Sequence, residues 1–591
     1  MGWVVRLLGT PRLEHEGVEV AGPRGNKAWA LLAYLVLSDG PVRRDRIAAL
    51  LFPDVADPAG AVRWNLSQLR KAIAGLQLDD DPLRLSIPDD VAVDVGRLID
   101  GDMPAAEVTT GELLAGMRFD GAPAFELWVS SERRRVQGMA TALLREAALD
   151  ALNGRPSTAA VFAERVVVSD PYDENAHVLL VRCLRAAGRV SEAEAQVATS
   201  TELLRRELGT EPSAALRRAA QLPAAGEATS AGRAAVQAQL QAGEAAVSAG
   251  ATDAGVDALR RAVLGARGSG DRQLLVRSLV ALGGALIHAA RGSDQDALPA
   301  LHEAASVAHE IGARSLLGTA QREIGWVNLL RGRYERGRVW LDRARDTAPG
   351  DVASCAWVDA AAGALETDVA DYETAFARLD SAIAAADAAN EPRAWAFASA
   401  MRGRAHLLRR ELEAAVEHSA AAIDRAQATG WTSFVPFPSS IIAEAHLLGG
   451  DVATAGDMFD HAFALGCQIQ DPCWESLAAR GMGLVAAERG DTSRAFELLA
   501  DAPQRCARLP DSYLWVQAYA LDALAQLAVR DGHPRAEQWV DELDRLASSH
   551  GMRELRVSVA RHWAALGEEG AAETAVALAK SIDNPALLTR T

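Results

Sequence analysis

Arg331-Gly-Arg-Tyr-Glu335 is a short polar turn between two apolar helical stretches. Turns of the same kind return at Val369-Ala-Asp-Tyr-Glu373, Arg409-Arg-Glu-Leu-Glu413, Gly449-Gly-Asp-Val-Ala453, Arg489-Gly-Asp-Thr-Ser493 and Arg530-Asp-Gly-His-Pro534. Their spacing is about 40 residues each time, and an Ala-rich helix follows each, as at Ala414–Ala428, Thr454–Leu465 and Ser493–Ala500. One helix pair cannot bury its own apolar faces, so a fixed period of helix–turn–helix units stacks into a solenoid. The repeats are expected over residues 234–583.

Gly325, Tyr334 and Ala344 stand where tetratricopeptide repeats carry their marker residues, and the array resembles that family. Its period exceeds the family's roughly 34 residues, which predicts longer helices of the same architecture. Working outward, the whole chain of 591 residues carries a net charge of −18, with 49% hydrophobic and 5% aromatic residues. Such a length excludes a single compact core, and the Ala- and Leu-rich, aromatic-poor balance favours packed helices over sheets. A mainly α protein is expected. No run approaches the ~20 apolar residues of a membrane span, and the longest, Ala28–Leu37, reads as a core helix. The N-terminus lacks a basic stretch followed by an apolar one, so no secretory signal is read. Five scattered cysteines point to a reducing cytoplasm without a disulfide framework.

The N-terminal region has a different texture. Trp3–Gly9, Arg12–Glu16 and Val18–Ala21 read as short strands separated by Gly9, Pro11, Gly17 and Gly22. A helix follows over Asn26–Leu37, with Asn26 as the expected N-cap and Asp39-Gly40-Pro41 as its end. A second covers Asp45–Phe52 and a third about Ala59–Ala74. Leu83–Ile87 and Val91–Val95 around Pro88-Asp89-Asp90 then read as a hairpin. Sheet, three helices and hairpin is the order of an OmpR-type winged helix. Lys27-Ala-Trp-Ala-Leu-Leu-Ala-Tyr-Leu35, Arg44-Asp-Arg-Ile-Ala-Ala-Leu-Leu-Phe-Pro-Asp54 and Asn65-Leu-Ser-Gln-Leu-Arg-Lys71 resemble, in that order, the DNA-binding module of the bacterial antibiotic-regulatory (SARP) transcriptional activators. Residues 3–98 are therefore expected to bind double-stranded DNA.

In the third helix Val62, Leu66, Leu69 and Ile73 make one narrow apolar stripe. Turning it inward leaves Gly60, Trp64, Ser67, Gln68 and Lys71 on the opposite face, flanked by Arg63 and Arg70. Guanidinium, ammonium and amide donors suit phosphate contact and major-groove readout. Trp64 either contacts DNA or packs on a partner domain. Arg43, Arg44 and Arg46 crowd the start of the second helix, where its dipole disfavours cations, and a DNA phosphate held there would relieve the conflict. Arg84 in the hairpin is expected at the minor groove or backbone. Residues 24–75 carry eight cations against four anions, a local +4 inside an acidic chain.

Residues 105–222 are helical and precede a Pro/Ala/Gly/Ser/Thr stretch, Leu222–Ala231. Leu203-Leu-Arg-Arg-Glu-Leu-Gly-Thr-Glu-Pro-Ser-Ala-Ala-Leu-Arg217 is similar to the bacterial transcriptional activation domain of the same family. Gly209 is expected to stop one helix and Pro212 to sit in the first turn of the next. The resemblance implies a part in dimerisation and in engaging RNA polymerase.

No cofactor is expected. Gly22-Pro-Arg-Gly-Asn-Lys27-Ala28 lacks P-loop spacing, and only three of the 61 basic residues are lysines. His461, Cys467 and Cys473 fit no zinc pattern and read as buried structural thiols with a nearby imidazole. No nucleophile–base set stands out, so the chain is not read as an enzyme. Trp326, Trp357, Trp395, Trp474 and Trp515 recur on successive first helices, either as interhelix packing or as the lining of a groove for a peptide or small-molecule effector. Together these features point to a promoter-binding transcriptional activator regulated by its repeats. The alternative is an interaction scaffold whose winged helix and repeats bind protein.

Overall fold

A computed structural model describes residues 3–38, 42–73, 76–78, 82–88, 90–99, 101–108, 111–152, 154–209, 211–221, 232–248, 251–290, 293–509 and 512–589. Asp39-Gly40-Pro41, Ala74, Asp89 and Leu222–Ala231 lie outside the described residues. The chain divides into two compact units, Met1–Ala225 and Gly226–Thr591.

The first unit opens with β1 (Trp3–Arg6), β2 (Arg12–His15) and β3 (Val18–Val20), paired antiparallel in succession. Glu16 and Gly17, with φ of 51° and 80°, make the tight turn between β2 and β3. Next come α1 (Asn26–Val36), α2 (Arg44–Leu51), α3 (Pro58–Ala72), β4 (Gln77–Leu78), β5 (Leu85–Ser86) and β6 (Val91–Val93). The sheet order is β3-β2-β1-β6, with β6 parallel to β1, and β4 pairs antiparallel with β5. The expected hairpin is thus corrected: Leu83–Ile87 and Val91–Val95 do not pair with each other. Val91 and Val93 instead bury their side chains by joining β1, and Asp94 locks that edge by accepting the backbone N–H groups of Leu7 and Leu8 at 2.8 and 3.1 Å.

Asn26 is also corrected, because the N-cap of α1 is Gly25, whose φ of 86° favours glycine. Helix α4 (Asp94–Ile99) leads to α5 (Pro123–Ala151), α6 (Pro156–Ser169), α7 (Glu174–Ala186), α8 (Val190–Leu203), a π turn Leu204–Leu208 and α9 (Ala214–Gln221). Gly209 ends that turn in the left-handed region at φ 65°, as expected. Pro212 does not enter the next helix; Ser213 caps it, its hydroxyl accepting the Ala215 and Leu216 N–H groups. One buried cluster runs from Val5 and Leu31 through Leu66 and Phe125 to Val166 and Ala176, so sheet and long helices share a core.

The second unit is helical throughout its described residues. Its pairs are α10 (Arg233–Ser248) with α11 (Thr252–Ser269), α12 (Arg272–His288) with α13 (Asp294–Glu310), α14 (Arg314–Leu330) with α15 (Tyr334–Thr347), and α16 (Val352–Asp368) with α17 (Tyr372–Ala389). They continue as α18 (Pro392–Leu408) with α19 (Leu412–Ala428), α20 (Pro436–Leu448) with α21 (Val452–Ile469), and α22 (Pro472–Glu488) with α23 (Thr492–Cys506). The last are α24 (Leu514–Arg530) with α25 (Ala536–Ser549) and α26 (Arg553–Ala565) with α27 (Ala571–Lys580).

Three of the recurring turns share one device. Asp371, Asp451 and Asp491 each cap the following helix by accepting a backbone N–H. Gly325 lets Leu341 approach closely, while Tyr334 and Ala344 are buried. The array coils on itself: Tyr513 reaches Asp368, the Tyr372 hydroxyl donates to Glu554, and His550 Nδ1 lies 3.2 Å from the Gly332 carbonyl oxygen. No described helix is long and apolar enough to cross a membrane.

Candidate functional site

Helix α3 starts where Asp57 accepts the Gly60 N–H at 2.8 Å and Pro58 takes the first turn; Arg70 and Lys71 sit in its last turn, facing the negative dipole end. Val62, Leu66, Leu69 and Ile73 are buried to within 1% of full burial, as the stripe requires. On the other side Arg63, Trp64, Arg70 and Lys71 are exposed and Ser67 and Gln68 half-buried. Trp64 is 52% exposed. Arg63 lies 3.7 Å from Asp57, whereas Lys71 makes no ion pair among the described residues. Arg70 donates to the Leu78 carbonyl at 2.9 Å, which ties the end of α3 to β4.

Val42 and Leu83 exchange both backbone hydrogen bonds, at 2.8 and 2.7 Å. They hold the start of α2 beside the β4–β5 ribbon, so the exposed Arg43 and Arg84 flank one short bridge. Arg43 is the N-cap of α2 and pairs with Asp45 at 2.6 Å. That hydrogen bond, with the Arg46 backbone N–H, holds the Asp45 carboxyl below its ordinary range. The charge conflict expected at this helix start is therefore partly relieved from within by Asp45. Arg44 is half-buried. Lys27 is spent internally: its ammonium donates to the Leu51 carbonyl at 2.7 Å and lies over the Phe52 ring.

The second unit encloses a cavity of about 470 Å³. Trp326 of α14, Trp357 of α16, Phe397 of α18 and Trp474 of α22 line it, together with Trp431, Phe434 and Tyr513 from connectors. Trp326 and Phe397 meet edge to face at 5.4 Å, and Trp431 stacks on Phe434 at 4.4 Å. The five recurring tryptophans thus divide. Trp326, Trp357 and Trp474 line the cavity; Trp395 bonds Asp387 outside it, and Trp515 is buried under Arg404. Sequence periodicity missed Trp431 and Phe434 because they precede α20 in an irregular turn.

Among the described residues no cluster suited to a metal is present. Cys473 is buried with its sulfur 3.3 Å from Cys506, but Cys467 is exposed, which corrects its expected burial.

Residues 105–222 match the family described as bacterial transcriptional activator domain. This segment is a bacterial transcriptional activator domain. No curated protein matches the chain. Among solved structures, Mycobacterium tuberculosis EmbR in complex with a low-affinity phosphopeptide is similar at 22% identity and a TM-score of 0.29. The match covers 37% of this chain and spans only 64% of that structure's length. A Rap protein complexed with competence and sporulation factor is similar at 11% identity and a TM-score of 0.43, over 58% of this chain and 98% of that one. The apo quorum sensor NprR from B. thuringiensis is similar at 12% identity and a TM-score of 0.36, over 58% and 98%. The activator domain is the one feature these comparisons place by residue. It occupies the same compact unit as α3.

Proposed function

We propose that the protein is a DNA-binding transcriptional activator of the antibiotic-regulatory type. Residues 3–98 act as an OmpR-type winged helix, residues 105–222 support dimerisation and RNA polymerase contact, and residues 234–583 regulate both from the cytoplasmic side of the cell. The observation that carries this is the activator domain at 105–222, packed in one unit with a helix whose outward face presents Arg63, Trp64, Ser67, Gln68, Arg70 and Lys71. Helix α3 supplies groove contacts, Arg43 and Arg44 supply phosphate contacts, and Arg84 reaches the flanking backbone. No catalytic step is assigned.

A gel shift of the full chain with the duplex upstream of its own coding region tests this. Binding that falls at least tenfold in Arg63→Ala/Lys71→Ala supports it; binding unchanged by that double substitution contradicts it. The second function, a protein-binding scaffold, is favoured by the exposed Trp64, since exposed tryptophan also suits a protein interface. Loss of DNA binding in Trp64→Ala at unchanged folding assigns the residue to DNA.

A further inference from the structure

Aromatic residues are only 5% of the chain, yet seven of them line a cavity of about 470 Å³ in the repeat unit. Trp326, Trp357, Trp431 and Trp474 are half-buried there, so aromatic surface stays open toward the cavity even though Trp431 stacks on Phe434 and Trp326 meets Phe397 edge to face. Such surface favours a planar, polarisable guest that can stack. The volume is that of a small-molecule site.

The polar groups narrow the class. A peptide brings one N–H and one carbonyl per residue, each needing a partner once water is excluded. The lining holds no Asn or Gln side chain to supply them. Charge at the rim is asymmetric. Arg322 donates to Glu323, which also lies 2.8 Å from His288 Nε2. Burial pulls the Glu323 carboxyl upward, but Arg322 and His288 outweigh it and hold it well below its ordinary range. Arg322 is therefore neutralised in place. Asp471, the other lining carboxylate, accepts the Cys473 and Trp474 N–H groups at the start of α22. Arg393 differs. It is exposed, its guanidinium sits 5.8 Å from the Trp431 ring centroid, and its hydrogen bond goes to the Thr429 carbonyl at 3.4 Å. Among the described residues no carboxylate pairs with it.

We infer that the cavity binds a planar aromatic carboxylic acid, its rings between the tryptophans and its carboxylate on Arg393. This rests on the regulatory role proposed for the repeat unit and names its ligand class. An Arg–carboxylate pair at the mouth of an apolar site fixes orientation as well as charge.

The test uses the full chain without DNA and three probes of one shape: pyrene-1-carboxylate, pyrene-1-methanol and pyrene-1-methylammonium. Energy transfer from tryptophan to pyrene reports occupancy. The expected result is saturable one-to-one binding, with the carboxylate about tenfold tighter than the alcohol and the ammonium weakest. Arg393→Met lies on the surface and should bring the carboxylate down to the alcohol's affinity while leaving the alcohol unchanged. Ser433→Trp, an exposed lining position, should weaken all three. Overturning results are no saturable binding by any probe, an alcohol or ammonium as tight as the acid, or a preference that survives Arg393→Met. Promoter binding with and without the probe, measured on the same protein, reports separately on the regulatory role.

Discussion

The Tyr513 hydroxyl lies 2.8 and 3.0 Å from the two carboxylate oxygens of Asp368, a residue 145 positions earlier in the chain. Arg404 completes the contact, donating to Asp368 at 2.6 Å, to the Tyr513 oxygen at 2.7 Å and to the Ala364 carbonyl at 3.0 Å. All three side chains are buried. Repeats that only stacked on their neighbours would not meet at this separation. The network therefore fixes the superhelical coil that also brings Tyr513 to the aromatic cavity.

Removing the cation alone strands a buried carboxylate. Arg404→Met is expected to lower stability by about 3–5 kcal/mol, read by urea unfolding followed through tryptophan fluorescence. Arg404→Met/Asp368→Asn should recover part of that loss. A double variant as unstable as the sum of its single losses contradicts the coupling.

Glu554 gives a pH signature. Burial pushes its carboxyl from 4.5 up to about 7, although the Tyr372 hydroxyl and Asn584 amide donate to it. A carboxyl raised on folding binds its proton more tightly in the native state. Its contribution is then fully present below pH 4.5 and lost as pH rises through about 7, up to about 3 kcal/mol. Glu554→Gln removes the titration. Its stability relative to the parent should rise between pH 4.5 and 7.5; a pH-independent difference contradicts the assignment.

Asp57 sets the start of α3. A Cβ at Gly60 would collide with its capping carboxylate. Asp57→Ala and Gly60→Ala should each cost about 1 kcal/mol, and the double variant little more than one alone, because both remove the same cap. Additive losses in thermal unfolding contradict this.

What the sequence disclosed follows from how locally each feature is determined. The stripe Val62, Leu66, Leu69 and Ile73 is a 3.6-residue period within one helix, and the structure buries all four. The turns around Asp371, Asp451 and Asp491 carry their own caps, so the repeats were legible without tertiary information. Strand β6 was not: Val91-Ala-Val93 alternates equally well against β5 or β1, and only the parallel register with Trp3–Val5 decides. The first repeats, α10 to α13, lack the marked turns and show only general helicity. For the candidate DNA surface, the α3 face was readable as a pattern, but Lys27 and Arg70 were not separable from it. Their ties to the Leu51 and Leu78 carbonyls are tertiary. Trp431, in a connector outside the period, carried no signal for the cavity.

The central claim is that the α3 surface binds duplex DNA through its cations. The most direct measurement is the salt dependence of full-chain binding to the upstream duplex, for the parent and for Arg63→Ala/Lys71→Ala. The account predicts a steep negative slope of log affinity against log salt, shallower by about 2 in the double variant. An unchanged slope, or parent binding insensitive to salt, would contradict it.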